Sequence, residues 1–268
     1  MNVGDLEIWQ WVVGMAAALL VGCAKTGIPG IGILVVPLMV MVFGGKPSVG
    51  TLLPMLIFAD CFAVLWYRRH AQWDKLWKLF PWVLPGMAVG AGALWAVDGL
   101  ELQLGSLDGK HLFELLIGLV VLTMLVLHLL RQRMGDRLTP HSKAGVALVG
   151  GGTGAATTMA NAAGPIMTLY LAGIGMPKQQ FMGTNAWFFL ILNLVKVPIF
   201  IAISLMPGQS PLFTQGSLLW DLAMFPLILC GVFIGKWLLP RIPQKVFDTL
   251  VLVLAATSAL NLIVRAVI

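Results

Sequence analysis

The sequence predicts an all-α integral membrane protein made of two inverted-topology repeats, each a broken re-entrant helical hairpin followed by three transmembrane helices. Three observations predict it. Of 268 residues, 59% are hydrophobic and 10% charged, and the mean hydropathy is +0.93, a composition that suits a polytopic membrane protein and not a soluble globule. Apolar runs follow one another along the chain with only short polar loops between them. Two of these runs are too long for a single crossing, and each is interrupted by glycine and small polar residues.

The first run, residues 9–43, is broken by KTGIPGIG at 25–32 and is expected to form a hairpin. Crossings are expected at 47–67, 79–97 and 112–130, each matched to roughly 30 Å of hydrocarbon. The second long run, 144–175, contains GGGTGAATTMANAAGP at 150–165 and is expected to break near Thr157–Asn161. Crossings at 181–205, 218–239 and 246–267 complete the chain. Glycine is a poor helix former, and helix breaks at membrane depth persist only where they are buried in protein or line a cavity. Close helix packing through small residues would use the same glycines and threonines.

The order of features repeats. Gly22 and Pro37 precede Gly150 and Pro165 by 128 positions (150 − 22 and 165 − 37), each pair bracketing a break. Gly50-Thr51 precedes Gly183-Thr184 by 133, an offset that also pairs Asp60 with Asn193. Phe80-Pro81, Gly86 and Gly90 recur at 145 as Phe225-Pro226, Gly231 and Gly235, and Phe113-Glu114 and Arg131 recur at 134 as Phe247-Asp248 and Arg265. Four anchors in one order divide the chain into repeats at 1–133 and 144–268.

Charge then orients these repeats. The net charge of +6 comes from lysines and arginines that fall mostly in short loops, so it sets topology and is not a nucleic-acid footprint. RRHAQWDK, RQRMGDRLTPHSK and GKWLLPRIPQK are basic and hence cytoplasmic, whereas DGLELQLGSLDGK and PGQSPLFTQG are acidic or uncharged and hence outside. Each run 9–43 and 144–175 must then enter and leave on one face, with the N-terminus outside; Lys46 is a mild exception. The opening MNVGDLEIWQ lacks the basic region of a signal peptide. Ten tryptophans suit an interfacial aromatic belt. Cys23, Cys61 and Cys230 sit inside apolar runs at unrelated spacings and read as small buried hydrophobes, with no metal or disulfide role.

Inverted repeats with paired broken helices are the sequence pattern of secondary transporters, whose sites lie at the breaks. Broken-helix N-termini offer free N–H donors and about half a positive charge, which favours an anion. Lys25 stands in the first break after a long apolar stretch; a lysine there costs roughly 2.5 kcal/mol or more unless paired or facing water. Thr26, and Thr157, Thr158 and Asn161 in the partner break, can add neutral hydrogen bonds. Asp60 lies mid-span and either neutralises Lys25 or Lys196 or carries a coupled proton. Asn185, Asn193 and Lys196 share the matching span, with Asn185 and Asn193 close to one helical face. His128, Arg131, Glu114, Asp248 and Arg265 read as interfacial anchors at span ends.

At these positions the chain resembles a known family. KTGIPGIGILVVPL at 25–38, and GPIMTLYL followed by FMGTNAWFFLILNLVKVP within 164–198, are similar to the two repeat motifs of the sulfite exporter TauE/SafE family. The resemblance implies a multi-pass transporter of the bacterial inner membrane, acting on small sulfur-containing anions such as sulfite, sulfonates or thiosulfate. It implies site residues Lys25, Thr26, Gly27 and Gly30 in the first motif, and Asn161, Gly164, Pro165, Thr184, Asn185, Asn193 and Lys196 in the second. The expected partners are the anion, the lipid bilayer and a coupled proton or sodium ion, with no cofactor and no nucleic acid. The alternative is an anion channel using the same half-helix site. A membrane enzyme is disfavoured because there is no HExxH, GxSxG, acidic metal cluster or Cys/His ligand spacing, and no nucleotide-binding loop marks a primary pump.

This topology places residue 2 and the loop near Gly208 outside and the loop near Gly135 inside. Cysteine-accessibility labelling in intact cells is expected to read them so. A cytoplasmic N-terminus with residues 144–175 crossing outright would remove the inverted repeat.

Overall fold

A computed structural model describes residues 6–27, 31–103, 119, 122, 123, 126 and 143–238. The described residues form helices and connecting turns, with no strand. Eight α-helices follow in order: α1 Ile8–Thr26, α2 Gly32–Phe43, α3 Gly45–Tyr67, α4 Trp73–Gln103, α5 Lys143–Ala160, α6 Gly164–Gly173, α7 Lys178–Ser204 and α8 Gln215–Leu238. A single 3-10 turn, Arg68–His70, links α3 to α4. Among the described residues, five segments are long and apolar enough to cross a bilayer: Ile8–Thr26, Gly45–His70, Trp73–Ala96, Gln179–Ser204 and Gln215–Trp237. Many large apolar side chains are exposed, among them Leu65, Val89, Leu148, Leu205, Leu222, Phe233 and several tryptophans. So much apolar surface suits lipid, because a soluble monomer hides patches of this extent. The protein is a multi-pass membrane protein.

Sequence and structure differ at several ends. Helices α3, α7 and α8 run over the expected crossings 47–67, 181–205 and 218–239, shifted by less than a helical turn. The helix over the expected crossing 79–97 starts earlier, at Trp73. Its first turns carry Asp74, Lys75 and Lys78; Asp74 complements the helix dipole, and Asp74 and Lys78 are exposed. Apart from isolated helical positions at 119, 122, 123 and 126, the expected crossing 112–130 lies outside the described residues, as does all of 246–267. Of the cysteines, Cys23 is buried as expected, but Cys61 and Cys230 are exposed, because they sit on lipid-facing sides of α3 and α8.

Two interrupted helices dominate the architecture. Helix α1 runs through Lys25 and Thr26 before stopping at Gly27, so these two residues belong to its last turn and not to the break. Helix α2 then returns alongside it: the Gln10 side chain donates 3.0 Å to the carbonyl of Val42, putting the end of α2 beside the start of α1. Helix α5 likewise continues through Thr157 and Thr158 to Ala160. Asn161 stops it with φ at 53°, a left-handed conformation that asparagine tolerates better than most side chains. The Ala162 N–H closes back onto the Ala156 carbonyl at 3.2 Å, a Schellman-type end that satisfies a carbonyl otherwise orphaned in lipid.

Glycine seams fix the helix partners. Helix α1 packs along α8, and α5 packs along α4, so closely that side chains have no room at the crossings. A Cβ at Gly22 would strike the backbone of Ile228 and Val232, and one at Gly231 would strike Leu19. At the other seam, Cβ atoms at Gly154 and Gly86 would strike the backbones of Val83 and Gly151. Both pairs run parallel: along α1 and α8 the neighbours are Gly14 with Trp220, then Gly22 with Ile228, then Gly27 with Gly235. Helices α3 and α7 run antiparallel, with Asp60 bonded to Asn193 and the Tyr67 end lying against Gly183.

The two seams carry the same contacts in register. Gly231 meets Leu19 and Gly22 where Gly86 meets Gly151, and Gly235 meets Cys23 and Thr26 where Gly90 meets Ala155 and Thr158. The positions on α1 and α5 differ by 132 (151 − 19, 155 − 23, 158 − 26) while those on α4 and α8 differ by 145 (231 − 86, 235 − 90). The 128-residue offset read from Gly22 and Gly150 is therefore one helical turn out of register with packing. Gly150 and Gly154 stand one turn apart on α5, so identity alone cannot choose which of them answers to Gly22.

Gly22→Leu and Gly154→Leu are each expected to lower the apparent melting temperature in detergent by several degrees, from overpacking worth about 1–3 kcal/mol or more. Gly92→Leu is the control, because Gly92 has open space around it. Equal loss in all three would remove the seams as the cause.

Candidate functional site

Helical periodicity decides which side chains meet. Successive residues in an α-helix point about 100° apart, so neighbours at a helix end serve different surfaces. On α1, Lys25 faces the interior between the two breaks, while Thr26 turns toward α8, its hydroxyl within reach of the Gly22 and Val232 carbonyls at 3.0 and 2.7 Å. On α5, Thr157 faces the same interior and Thr158 turns toward Gly90 of α4.

The interior is a cavity of about 60 Å³, room for a few waters or one small anion. The breaks form its two sides: Lys25 and Gly32 from one, Thr157, Asn161, Gly164 and Pro165 from the other. Helix α7 adds Asn185, Phe189 and Asn193, and Thr168 comes from α6. Leu52 and Leu56 of α3, with Val21, Ile33 and Val35, make the rest apolar. Helices α2 and α6 both begin at this cavity, at Gly32 and Gly164. Ile31, just before α2, makes no side-chain cap, and the positive end of the helix dipole lies there.

Behind the lining lie buried charges. Lys25 Nζ is 2.8 Å from one oxygen of Asp60 and 3.1 Å from the other. It also lies 4.5 Å from the centroid of the Phe189 ring, a cation–π contact. Asp60 is fully buried and takes a further hydrogen bond from Asn193 Nδ2 at 2.7 Å. Lys196 is fully buried one turn along α7 and has only neutral acceptors: the carbonyl and hydroxyl of Thr157, both at 3.2 Å, and the side-chain oxygen of Asn161. The ion pair of Asp60 is with Lys25. Asn161 has a second bond, from Nδ2 to the Val49 carbonyl at 2.9 Å. One residue therefore ends α5, holds Lys196, ties the break to α3 and lines the cavity.

The structure brings Lys25, Thr157, Asn161, Gly164, Asn185 and Asn193 to one cavity. Asp60 and Lys196 stand behind it, bonded to its lining. Thr26, Gly27 and Thr158 do not line it: Gly27 abuts Gly235, and the Thr158 hydroxyl is buried without a hydrogen-bond partner. Gly30 lies outside the described residues. Thr184 is spent on structure, accepting from the Gln72 N–H at 2.9 Å. Sequence reasoning passed over Phe189, Thr168 and Gly32. Phe189 was legible in principle, since it falls one turn before Asn193 and one after Asn185 on the same face. No cluster of His, Cys, Asp or Glu suited to a metal occurs among the described residues.

The family model for "Sulfite exporter TauE/SafE" matches residues 14–262 of the chain. No curated protein and no solved structure matches.

Asn161→Gly keeps a residue at ease in the left-handed cap but removes an acceptor of Lys196, whereas Asn161→Ala loses both. Both are expected to lower the melting temperature, with alanine lower still by about 1–2 kcal/mol for the left-handed conformation. Equal stability of the two variants would exclude the cap as part of the role of Asn161.

Proposed function

Because the chain belongs to the sulfite exporter TauE/SafE family, we propose that it is a secondary transporter that carries a small sulfur-containing anion, of the sulfite, sulfonate or thiosulfate type, across the bacterial inner membrane by alternating access. The observation that carries this reading is that both breaks, with Lys25 and the N-termini of α2 and α6, line a single cavity. The anion would sit between them. Lys25 would meet it as a cation, and Thr157, Asn161 and the backbone at Gly32 would supply neutral donors. Family membership favours transport over catalysis.

Helix directions support the inverted repeat. Helices α1 and α8 run parallel, α4 and α5 run parallel, and α3 opposes α7. With α2 returning beside the start of α1, the α1–α2 pair would enter and leave on one face and α5–α6 on the other. The repeats 1–133 and 144–268 would then be related by a two-fold axis near the Asp60–Asn193 bond, with the N-terminus outside. Alternating exposure would follow from one hairpin and then the other yielding at the cavity. A proton or sodium ion is the proposed coupling ion.

Lys25→Met alone would strand Asp60, so the clean test removes both charges. Lys25→Met with Asp60→Asn is expected to fold and to lose sulfite affinity by tenfold to a hundredfold, equivalent to about 1.5–3 kcal/mol for a charge-assisted contact. Saturable sulfite counter-flow in proteoliposomes is expected for the wild type. Non-saturating flux would favour a channel, and unchanged affinity in the double variant would remove Lys25 from the site.

A further inference from the structure

Resting on that reading, we infer that the cavity selects by charge state, taking a singly charged oxyanion and rejecting doubly charged ones. The argument begins with the balance of buried charge. Among the described residues, charge reaches the cavity through three side chains: Lys25, Lys196 and Asp60. Asp60 is consumed by Lys25 at 2.8 Å. Lys196 is held by Thr157 and Asn161, both of which line the cavity, and no carboxylate is among its hydrogen-bond partners. Two cations and one anion leave a single positive charge.

The surroundings make that balance decisive. Leu52, Leu56, Ile33 and Phe189 wall the cavity, and in such a medium an uncompensated charge is far costlier than in water. A monoanion brings the site to neutrality, whereas a dianion leaves one negative charge unmatched. Helix N-termini at Gly32 and Gly164 offer only partial charge, screened and short in range. The neutral groups reinforce the choice. Asn193 gives its N–H to Asp60, so its oxygen is fixed as an acceptor; that oxygen and the Asn185 oxygen are both buried without a hydrogen-bond partner. Turning Asn193 over would set oxygen against carboxylate. Unpartnered acceptors on residues that line the cavity repel a dianion more strongly than a monoanion.

Equilibrium binding to the purified full-length protein in nanodiscs tests this with methanesulfonate, sulfate, thiosulfate and sulfite as probes, each at pH 6 and pH 8. Methanesulfonate is expected to bind equally at both pH values. Sulfite should bind severalfold more weakly at pH 8, in proportion to the fall in its hydrogensulfite fraction, and sulfate and thiosulfate at least tenfold more weakly than methanesulfonate throughout. Asp60→Asn adds a positive charge to the site and is expected to narrow or reverse the preference. Sulfate or thiosulfate binding as tightly as methanesulfonate in the wild type would overturn charge selection while leaving anion transport intact. Should Asp60→Asn fail to fold, the wild-type series decides alone. Binding of none of the probes would remove the anion site itself, and this inference with it.

Discussion

A peptide group in hydrocarbon has no water to turn to, and every unusual feature of this protein answers that constraint. Two helices stop inside the apolar mass, and each stop must settle its backbone locally. At the second break the Schellman-type closure at Ala162 does so, and the Asn161 side chain adds a bond to the Val49 carbonyl of α3. At the first, the Gly27 N–H returns to the Cys23 carbonyl at 3.0 Å and the Tyr67 hydroxyl donates to the Thr26 carbonyl at 3.1 Å. Each following helix begins at one shared cavity, α2 at Gly32 and α6 at Gly164.

The buried charges obey the same rule by different means. Lys25 has a carboxylate and an aromatic face, so its cost is met by a counter-charge. Lys196 is fully buried and is solvated by two oxygens of Thr157 and one of Asn161 instead. These oxygens come from the end of α5, which means the break and the lysine support one another. Hydrogen bonds to a charged group are worth more than neutral ones, so the interrupted helix is braced against α7 at the point where it is weakest.

Much of this was legible in the sequence, and the limits have physical causes. Glycine clusters inside apolar runs marked the breaks, and Lys25, Asp60, Asn193 and Lys196 stood out because charge and amide groups are expensive at depth. The direction each side chain takes was not legible where two candidates were adjacent. Thr26 and Thr158 were as plausible as Lys25 and Thr157 until helix continuation through the supposed break turned them outward toward α8 and α4. The packing register failed for a related reason, since glycines spaced a turn apart look alike in sequence and differ only in what they touch. Phe189 went unnoticed because an aromatic in an apolar span announces nothing, and its value arises only beside an ammonium group.

The crossed seams have a mechanical consequence. Helix α1 is locked to α8 and α5 to α4 by backbone contacts that no side chain can cushion, so neither pair slides without opening a gap in lipid. The tightly packed parts of the fold are therefore not the first and last stretches of the chain. They are two interlaced blocks, α1–α2–α8 and α4–α5–α6, each assembled from both ends of the sequence, with α3 and α7 between them. Like clasped hands, each block draws on both halves of the sequence, and cutting the chain at its middle would leave each fragment holding part of both.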